Sequence, residues 1–368
     1  MKIVNFTRGL RNTKHGGEGL SVETLTKLLK NKGHDVLTIS LEKKSYKEDG
    51  FIGLTRKTKP ILPKLDTFID FAELNLSYRK QLIETISDYN PDLMIYRKDW
   101  SYVGCYIGKK LGVSTILKLY DYEFYYGRLP NGWNPRFNIL LHIPFPCYKN
   151  ICRYVLNNSS MVLGNSERTA NLYRRISTNR EIYGIPSFID ISNIKPFKKL
   201  GNEIVHITPS KNKGIDITLD VADLMPEYNF KIVGQSKGWN FQETKERMKE
   251  QSNVEYLGFA PNLKEIYKNT FVVLMPSLDE GYGRIPIEAG AYGIPVITSG
   301  LAGLAESSVP SLTVDKNEAI YYKEKIKEVE NNIKHYRELS IDNAKNKCSD
   351  FSFKRLSEVV WTSLGLKL

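Results

Sequence analysis

Residues 272–306 read VVLMPSLDEGYGRIPIEAGAYGIPVITSGLAGLAE, and this stretch decides the fold of the second half of the chain. Its apolar start predicts a strand over 271–275, and Pro286 suits the first turn of a helix that we predict over 285–292. Residues 295–298 then predict another strand. A strand, a helix and a strand in this order are typical of a parallel sheet that is covered by helices.

The loop between this strand and this helix has the features of an anion site. Gly281 and Gly283 let backbone amides approach a ligand, and the helix N-terminus adds partial positive charge. Open α/β sheets bind ligands at this end of a parallel strand. Glu280 and Glu288 flank the loop, and an acceptor-only carboxylate suits sugar hydroxyls better than phosphate. Singly, Glu288 would serve the helix dipole and Glu280 would be an exposed acid, but as a set they indicate a nucleotide-sugar site.

The alternation of short β-branched runs and amphipathic helices extends along the whole chain. At 368 residues the chain is long enough for two such domains. We place the hinge between them at 183–196, a Gly- and Pro-containing segment without helical periodicity, and expect a long surface loop over 43–64. The predicted strands are 2–6, 36–40, 92–96, 114–119, 161–165 and 180–183 in the first half, and 203–207, 229–233, 254–257, 271–275 and 295–298 in the second. The predicted helices are 19–32, 102–111, 215–225, 263–268 and 285–292, with mostly helical structure after them.

The formal net charge is +12, because 53 Lys and Arg residues outnumber 41 Asp and Glu residues. A surplus of this size favours an anionic partner such as a phosphate group, a negatively charged membrane surface or nucleic acid.

The four cysteines have no metal-ligand spacing, so we expect reduced structural thiols. No stretch approaches about 18 uncharged apolar residues, and the N-terminus reads as a strand and not as a signal peptide. We therefore expect a cytoplasmic protein.

In the glycine loop and the helix after it, the sequence resembles the retaining glycosyltransferases of family 4, the group 1 glycosyltransferases, which have the GT-B fold. The family motif is a Glu, seven residues and a Glu, set in P-S-x-x-E-G-F/Y-G and followed by E-A-x-x-x-G-x-P-V-I. This chain has Pro276-Ser277, Glu280-Gly281-Tyr282-Gly283, Glu288-Ala289 and Gly293-Ile294-Pro295-Val296-Ile297.

The resemblance implies an α/β protein with two Rossmann-like, doubly wound parallel-sheet domains and an interdomain cleft. It implies an N-terminal acceptor-side domain over 1–190, onto which a C-terminal helix at about 351–368 packs back. It implies a C-terminal nucleotide-sugar-binding domain over 191–350. Closure about the hinge would then complete the site and exclude water.

The resemblance also implies roles for single residues. Glu288 would bind the ribose hydroxyls of the donor, Glu280 would face the transferred sugar, and Phe259 would lie against the nucleobase. The residues between and after the glutamates complete the predicted donor-binding set, mainly through backbone amides that meet the sugar and the diphosphate. They are Gly281, Tyr282, Gly283, Arg284 and Ile285.

A second family element, a G-R strand end followed by K-G, corresponds to the sequence TPSKNKG in this chain. In the family its arginine and lysine hold the diphosphate, which implies this role for Lys213. The arginine is absent, because Thr208 or Pro209 occupies its place. Lys211 or Ser210 can reach phosphate oxygens instead, although a lysine lacks the bidentate fork of a guanidinium.

The first half resembles the family more weakly. Gly16 and Gly17 resemble its glycine loop, which implies a place near the donor diphosphate and the acceptor, although two adjacent glycines also form an ordinary turn. The family's His-Asp pair at the end of a central strand corresponds to Tyr120 and Asp121. Tyr120 can donate a hydrogen bond but carries no positive charge at pH 7.

Two basic, aromatic stretches, 43–64 and 136–154, have the composition of an interfacial segment on anionic lipid. The second stretch equally suits a core helix that is broken at Pro144 and Pro146. Peripheral contact with the cytoplasmic face of an anionic membrane and a purely cytoplasmic location therefore both stay open.

The predicted activity is the transfer of a sugar from a nucleotide-diphosphate-sugar to a hydroxyl of a glycan, a lipid-linked saccharide or another acceptor. Positive groups around the leaving diphosphate lower the barrier, and we assign that role to Lys213, Lys211 and the backbone amides of residues 281–283. Glu280 would position the sugar, and Asp121 is the candidate base. Lysines and a helix terminus supply the charge that a divalent ion would supply, so we expect neither a metal nor another cofactor.

The resemblance further implies that the anomeric configuration is retained. A nucleic-acid-binding protein is one alternative, suggested by the charge, but the sequence has no recognised nucleic-acid motif and its charge is dispersed. A sugar-nucleotide epimerase on the same fold is the other alternative.

Overall fold

The chain divides into two compact units in a computed structural model that describes residues 1–8, 17–42, 45–55, 76–120, 145–235 and 241–368. Unit 1 is Met1–Phe188 together with Ser349–Leu368, and unit 2 is Ile189–Cys348. These limits lie two residues before the expected ones. Of the described residues, no helix is long and apolar enough to cross a membrane.

Unit 1 is built on an eight-stranded sheet in the order β3-β4-β2-β1-β5-β6-β7-β8, in which only the pairing of β3 with β4 is antiparallel. The strands are β1 (Lys2–Arg8), β2 (Asp35–Glu42), β3 (Tyr46–Glu48), β4 (Phe51–Thr55), β5 (Leu93–Arg97), β6 (Ser114–Leu119), β7 (Met161–Gly164) and β8 (Ile182–Gly184). The helices are α1 (Gly17–Asn31), α2 (Arg79–Tyr89), α3 (Ser101–Leu111), α4 (Phe145–Asn158), α5 (Glu167–Arg174) and, at the end of the chain, α13 (Ser349–Leu364).

The sheet of unit 1 is covered on both faces, which explains why its strands read as continuous apolar runs. Successive side chains of a strand point to opposite faces, so Ile3 and Val4 belong to two different core clusters. The cluster around Ile3 includes Phe353 and Leu356 of α13. The C-terminal helix therefore packs on the sheet of unit 1.

The expectation of a long surface loop over 43–64 is wrong in part. Residues 46–48 and 51–55 are strands, and β4 pairs in parallel with β2. Phe51 and Leu54 are buried, so this short apolar run pairs with the sheet although charged residues surround it in the sequence. Residues 43–44 and 56–64 lie outside the described part of the chain.

Unit 2 is built on a five-stranded, all-parallel sheet in the order β11-β10-β9-β12-β13. The strands are β9 (Glu203–Ile207), β10 (Asn229–Val233), β11 (Val254–Gly258), β12 (Thr270–Met275) and β13 (Val296–Thr298). The helices are α6 (Ile215–Leu224), α7 (Phe241–Glu250), α8 (Leu263–Tyr267), α9 (Ile285–Ala291), α10 (Leu304–Ser307), α11 (Ala319–Asn331) and α12 (Ile333–Asn346). The predicted fold class, two doubly wound parallel-sheet domains, is confirmed.

The net charge is divided unequally between the units. Unit 1 has 32 Lys and Arg residues against 19 Asp and Glu residues, whereas unit 2 has 21 against 22. The whole surplus of positive charge therefore belongs to unit 1.

The strand order reverses once in each sheet. In unit 2 the chain runs from β9 outward to β10 and β11, and then crosses to β12 and β13 on the other side of β9. The loops that follow β9 and β12 therefore leave the same edge of the sheet at this reversal, which is where open α/β sheets have their ligand crevice. In unit 1 the reversal lies between β1 and β5.

Candidate functional site

The loop after β9 is held tightly at the point of reversal in unit 2. His206 is buried at the end of the strand, where its ring bonds the Thr218 hydroxyl at 2.8 Å and the Thr208 carbonyl at 3.2 Å. Burial lowers the pKa of His206 to about 4, so the ring is neutral at physiological pH. Thr208 has a φ of 72°, a left-handed conformation that is strained for a β-branched residue. Such strain is typical of functional loops.

Two loops meet because Gly214 packs on the loop after β12. A Cβ at Gly214 would lie 2.1 Å from the carbonyl oxygen of Pro276, so no other residue fits there. The Leu278 amide also donates to the Asn212 carbonyl at 2.9 Å. These contacts fix the distance between residues that lie more than 60 positions apart in the sequence.

The structure brings together Lys213 and Glu280, one from each loop. Lys213 Nζ lies 2.5 Å from Glu280 Oε1, and the two side chains are 30% and 13% exposed. The Ser277 hydroxyl lies 3.4 Å from the same oxygen. An ammonium and a carboxylate thus stand side by side at the edge of the crevice, where one can meet phosphate and the other can accept from hydroxyls.

The glycine loop after Glu280 is also fixed by its neighbours. Gly283 has a φ of 82°, and Gly303 packs against Gly281, where a Cβ would lie 2.1 Å from the carbonyl oxygen. The side chain of Tyr282 is buried among Ile189 and neighbouring core residues. The side chain of Tyr282 is therefore not available to a ligand, and a role for its backbone amide stays a prediction.

Arg284 and Glu288 form the second ion pair of this region. Arg284 Nε and Nη2 both lie 2.8 Å from Glu288 Oε1, one turn apart at the start of α9. Ile285 is partly buried against the core. The sequence predicted Arg284 as a member of the donor-binding set, but it did not predict the ion pair between Arg284 and Glu288.

The other predicted donor residues, Lys211, Ser210 and Phe259, have different surroundings. Lys211 Nζ lies 3.9 Å from Asp216 and 3.7 Å from Glu243, so it faces α6 and α7. Ser210 contributes its carbonyl, which accepts from the Lys213 amide at 2.9 Å. Phe259 follows β11, the edge strand that pairs with β10. It is 40% exposed and therefore presents an apolar surface.

In unit 1 two of the predicted acceptor-side residues can be placed. Gly17 begins α1, and Tyr120 follows β6. Gly16 and Asp121 lie outside the described residues. The ring of Tyr120 lies 5.4 Å from the guanidinium of Arg97 and 5.8 Å from Lys118 Nζ.

Sequence reasoning missed two buried charged residues on the neighbouring strands β5 and β6 of unit 1. Arg97 ends β5, is 6% exposed, pairs with Glu18 of α1 and donates to the Thr7 hydroxyl at 3.2 Å. Lys118 is buried in β6 and donates to the Ile185 carbonyl at 2.8 Å, and burial lowers the pKa of its ammonium to about 7. In both cases a charged residue at the end of an apolar strand was the sequence feature that could have indicated a buried charge.

Comparison with known proteins gives one family and several relatives. Residues 204–347, which lie within unit 2, match the family model of the group 1 glycosyl transferases. An uncharacterized glycosyltransferase of Methanocaldococcus jannaschii is 27% identical over 354 residues, 92% of either chain. An uncharacterized 41.2 kDa protein from the cps region of Klebsiella pneumoniae is 36% identical over 107 residues, a match that spans only 28% of either chain.

The fold of the whole chain is similar to that of solved proteins. The structure of the Anabaena protein HepE in complex with UDP-glucose has a TM-score of 0.72 and 15% sequence identity, and the match covers 98% of this chain and 100% of that one. This likeness gives the chain the GT-B fold that the sequence predicted.

Proposed function

We propose that this glycosyltransferase, whose residues 204–347 form a group 1 glycosyl transferase domain, moves a sugar from a nucleoside-diphosphate donor that is bound by unit 2 to a hydroxyl acceptor. The observation that carries the proposal is the contact between Lys213 and Glu280. It joins the loops after β9 and β12 at the reversal of the sheet, where open α/β folds bind nucleotides.

The pair supplies two complementary functions at one place. Transfer breaks the bond between the anomeric carbon and the diphosphate, and the bonding electrons leave with the diphosphate oxygen. Lys213 and the amides of residues 281–283 would stabilise the charge that develops there. Glu280, held by Lys213 and by the Ser277 hydroxyl, would accept from hydroxyls of the transferred sugar.

The acceptor oxygen then bonds to the anomeric carbon and loses its proton. We propose retention, with the acceptor attacking from the side of the leaving group and its proton passing to a phosphate oxygen. Asp121 stays the candidate protein base. Since Lys213 and the loop amides supply positive charge, we expect transfer to continue in EDTA and the product to keep the donor's anomeric configuration, which proton NMR of the product would determine.

The acceptor side of the proposal belongs to unit 1. Tyr120 lies against Arg97 and Lys118, where it can contribute an aromatic surface and a hydroxyl to an acceptor. Unit 1 has 32 basic and 19 acidic residues, a surplus of 13 positive charges. This surplus favours binding to an anionic membrane surface on the cytoplasmic side. A lipid-linked saccharide is the acceptor class that this location favours.

Calorimetric titration of the protein with UDP, GDP and ADP tests the donor site. We expect one of the three to bind, and Glu288→Ala to weaken that binding about tenfold or more, because a hydrogen bond to a charged group is lost. Glu265→Ala, which removes an exposed carboxylate paired with Lys268, is the matched control and should bind as the wild type does. Unchanged affinity in Glu288→Ala would remove the assignment.

Product analysis separates the alternatives. An epimerase converts the nucleotide-sugar without an acceptor, whereas a transferase at most hydrolyses it slowly. A nucleic-acid-binding protein would instead be retained on DNA in a salt-dependent manner and would bind none of the three nucleotides.

A further inference from the structure

Arg284 holds Glu288 in one orientation. Its Nε and Nη2 atoms both lie 2.8 Å from the same carboxylate oxygen, Oε1, and the two side chains are only 16% and 23% exposed. Most ion pairs one helical turn apart are exposed and mobile, and they contribute little to stability. The Arg284–Glu288 pair is instead largely covered, so its geometry is held.

Helix stability does not explain an arginine at this position. Arg284 is the N-cap of α9 and makes no capping bond with its side chain. A cation at a helix N-terminus meets the positive end of the helix dipole, and a cation that precedes its acid is the less favourable order of an i,i+4 pair. A residue that breaks these local rules indicates a functional constraint.

The arrangement leaves one side of Glu288 for a ligand. Arg284 bonds Oε1, and none of the described residues bonds Oε2. The ring of Tyr267 lies 5.6 Å from that of Tyr292 at the end of α9; Tyr267 is 2% exposed, and its hydroxyl has no hydrogen-bond partner in the described part of the chain. Burial, together with the nearby charge of Glu288, raises the pKa of Tyr267 well above its usual value, so the hydroxyl stays a donor. The surroundings of Glu288 are thus polar and incompletely satisfied.

We propose that Arg284 is a positioning residue, which fixes Glu288 so that Oε2 accepts ribose hydroxyls and the site selects ribose over sugars that lack them. This role rests on the proposed function, because it places the ribose of a donor nucleotide against Glu288. A carboxylate that is already held loses little freedom when the ligand binds, so its hydrogen bonds are not weakened by that loss. Two N–H groups from one planar guanidinium can fix the orientation of the carboxylate, which a single ammonium does not.

The test compares ribonucleotides with their deoxy forms. The probe is the diphosphate among UDP, GDP and ADP that binds the wild type, together with its 2′-deoxy and 2′,3′-dideoxy forms, and the readout is the ratio of dissociation constants. We expect the wild type to bind the ribose form about tenfold or more tightly than the dideoxy form. Arg284→Met should bring this ratio close to one, as Glu288→Gln should, and the double variant should lose no more than either single variant.

Arg247→Met is the matched control. Arg247 of α7 bonds Asp220 and Asp223 at 2.7 and 2.9 Å, away from the glycine loop, and its loss should leave the ratio unchanged. Arg284→Lys keeps the charge and should give an intermediate ratio of dissociation constants. This variant still tests the role of Arg284 if Arg284→Met does not fold.

The outcomes separate this inference from the function on which it rests. If the wild type binds no nucleoside diphosphate, the proposed function fails and the role of Arg284 fails with it. If the wild type binds and discriminates but Arg284→Met keeps the full ratio, only the role of Arg284 is overturned. A variant that weakens ribose and deoxy forms equally would make Arg284 a simple cation for the diphosphate and would also overturn it.

Discussion

The two units have the same kind of sheet but use charge in opposite ways. Unit 2 is nearly neutral, and its important charges stand in two close pairs, Lys213 with Glu280 and Arg284 with Glu288. Unit 1 carries the whole surplus of the chain, and it buries Arg97 and Lys118 on the neighbouring strands β5 and β6. Close pairs give local, directional recognition, whereas a net surplus acts over about a Debye length and recognises an anionic surface.

If unit 2 binds the nucleotide as proposed, we expect the surplus positive charge of unit 1 to serve another partner. A diphosphate is expected to be recognised in unit 2 by one lysine and a set of backbone amides, with no general surplus of charge. The surplus in unit 1 is then available for a membrane or for an anionic acceptor. Each of the following experiments changes residues of one unit and compares them with a matched control variant.

The largest effect is expected from Lys213→Met in unit 2. Removal of a charged donor from the leaving group should lower the transfer rate by about 100- to 1000-fold, because one such group contributes about 3–4 kcal/mol to transition-state stabilisation. The measurement is the initial rate of sugar transfer at saturating donor. Lys109→Met in unit 1 removes an exposed lysine that bonds Asn158 and should leave the rate unchanged. Equal losses in both variants would contradict a donor site in unit 2.

A pH effect of intermediate size is expected from Lys118 in unit 1. Its pKa in the folded protein is lowered to about 7 by burial, below the usual 10.5, so the unfolded chain binds more protons between these values. The free energy of unfolding of the wild type should therefore rise as the pH increases from 7, by about 2 kcal/mol up to pH 9. Urea unfolding at both pH values should show this rise in the wild type and in Lys109→Met, and its absence in Lys118→Met. A parallel rise in Lys118→Met would assign the pH dependence to other groups.

Vesicle binding tests the surplus on unit 1 directly. The double variant Lys149→Glu/Arg153→Glu reverses two charges on α4, the helix that forms the end of the basic stretch 136–154. We expect it to bind vesicles that contain phosphatidylglycerol about tenfold or more weakly than the wild type, because each basic residue near such a surface contributes about 1 kcal/mol. Lys245→Glu/Lys249→Glu on α7 makes the same charge change in unit 2 and should bind normally in a flotation assay. Neutral vesicles should bind none of the three proteins.

The site of unit 2 was largely predictable because its chemistry lies in short stretches at strand ends. The strand and glycine pattern drew attention to Glu280 after β12, and the family resemblance singled out Lys213 after β9; parallel strands bring such ends to one edge. The direction of Lys211 was not predictable, since it depends on Asp216 and Glu243, which only the folded chain brings near it. The pair of Arg97 with Glu18 joins positions 79 apart, and no local pattern links them. The periodicity of a sequence predicts helices and strands, but it does not predict which single side chains pair across the fold.

The smallest effect is expected at Thr208, where the strain in the loop after β9 can be measured. Its φ of 72° suits glycine, so Thr208→Gly should remove a cost of about 1 kcal/mol, although the added freedom of the unfolded chain offsets part of that gain. We expect the thermal midpoint to rise slightly or stay constant, while nucleoside diphosphate affinity falls because the loop that carries Lys213 is held less rigidly. The matched control is Thr313→Gly, because Thr313 has an ordinary φ of –92° and lies outside both loops. Its replacement should lower stability and leave the affinity unchanged. A loss of stability at Thr208 of the same size would mean that the left-handed conformation stores no strain for the site.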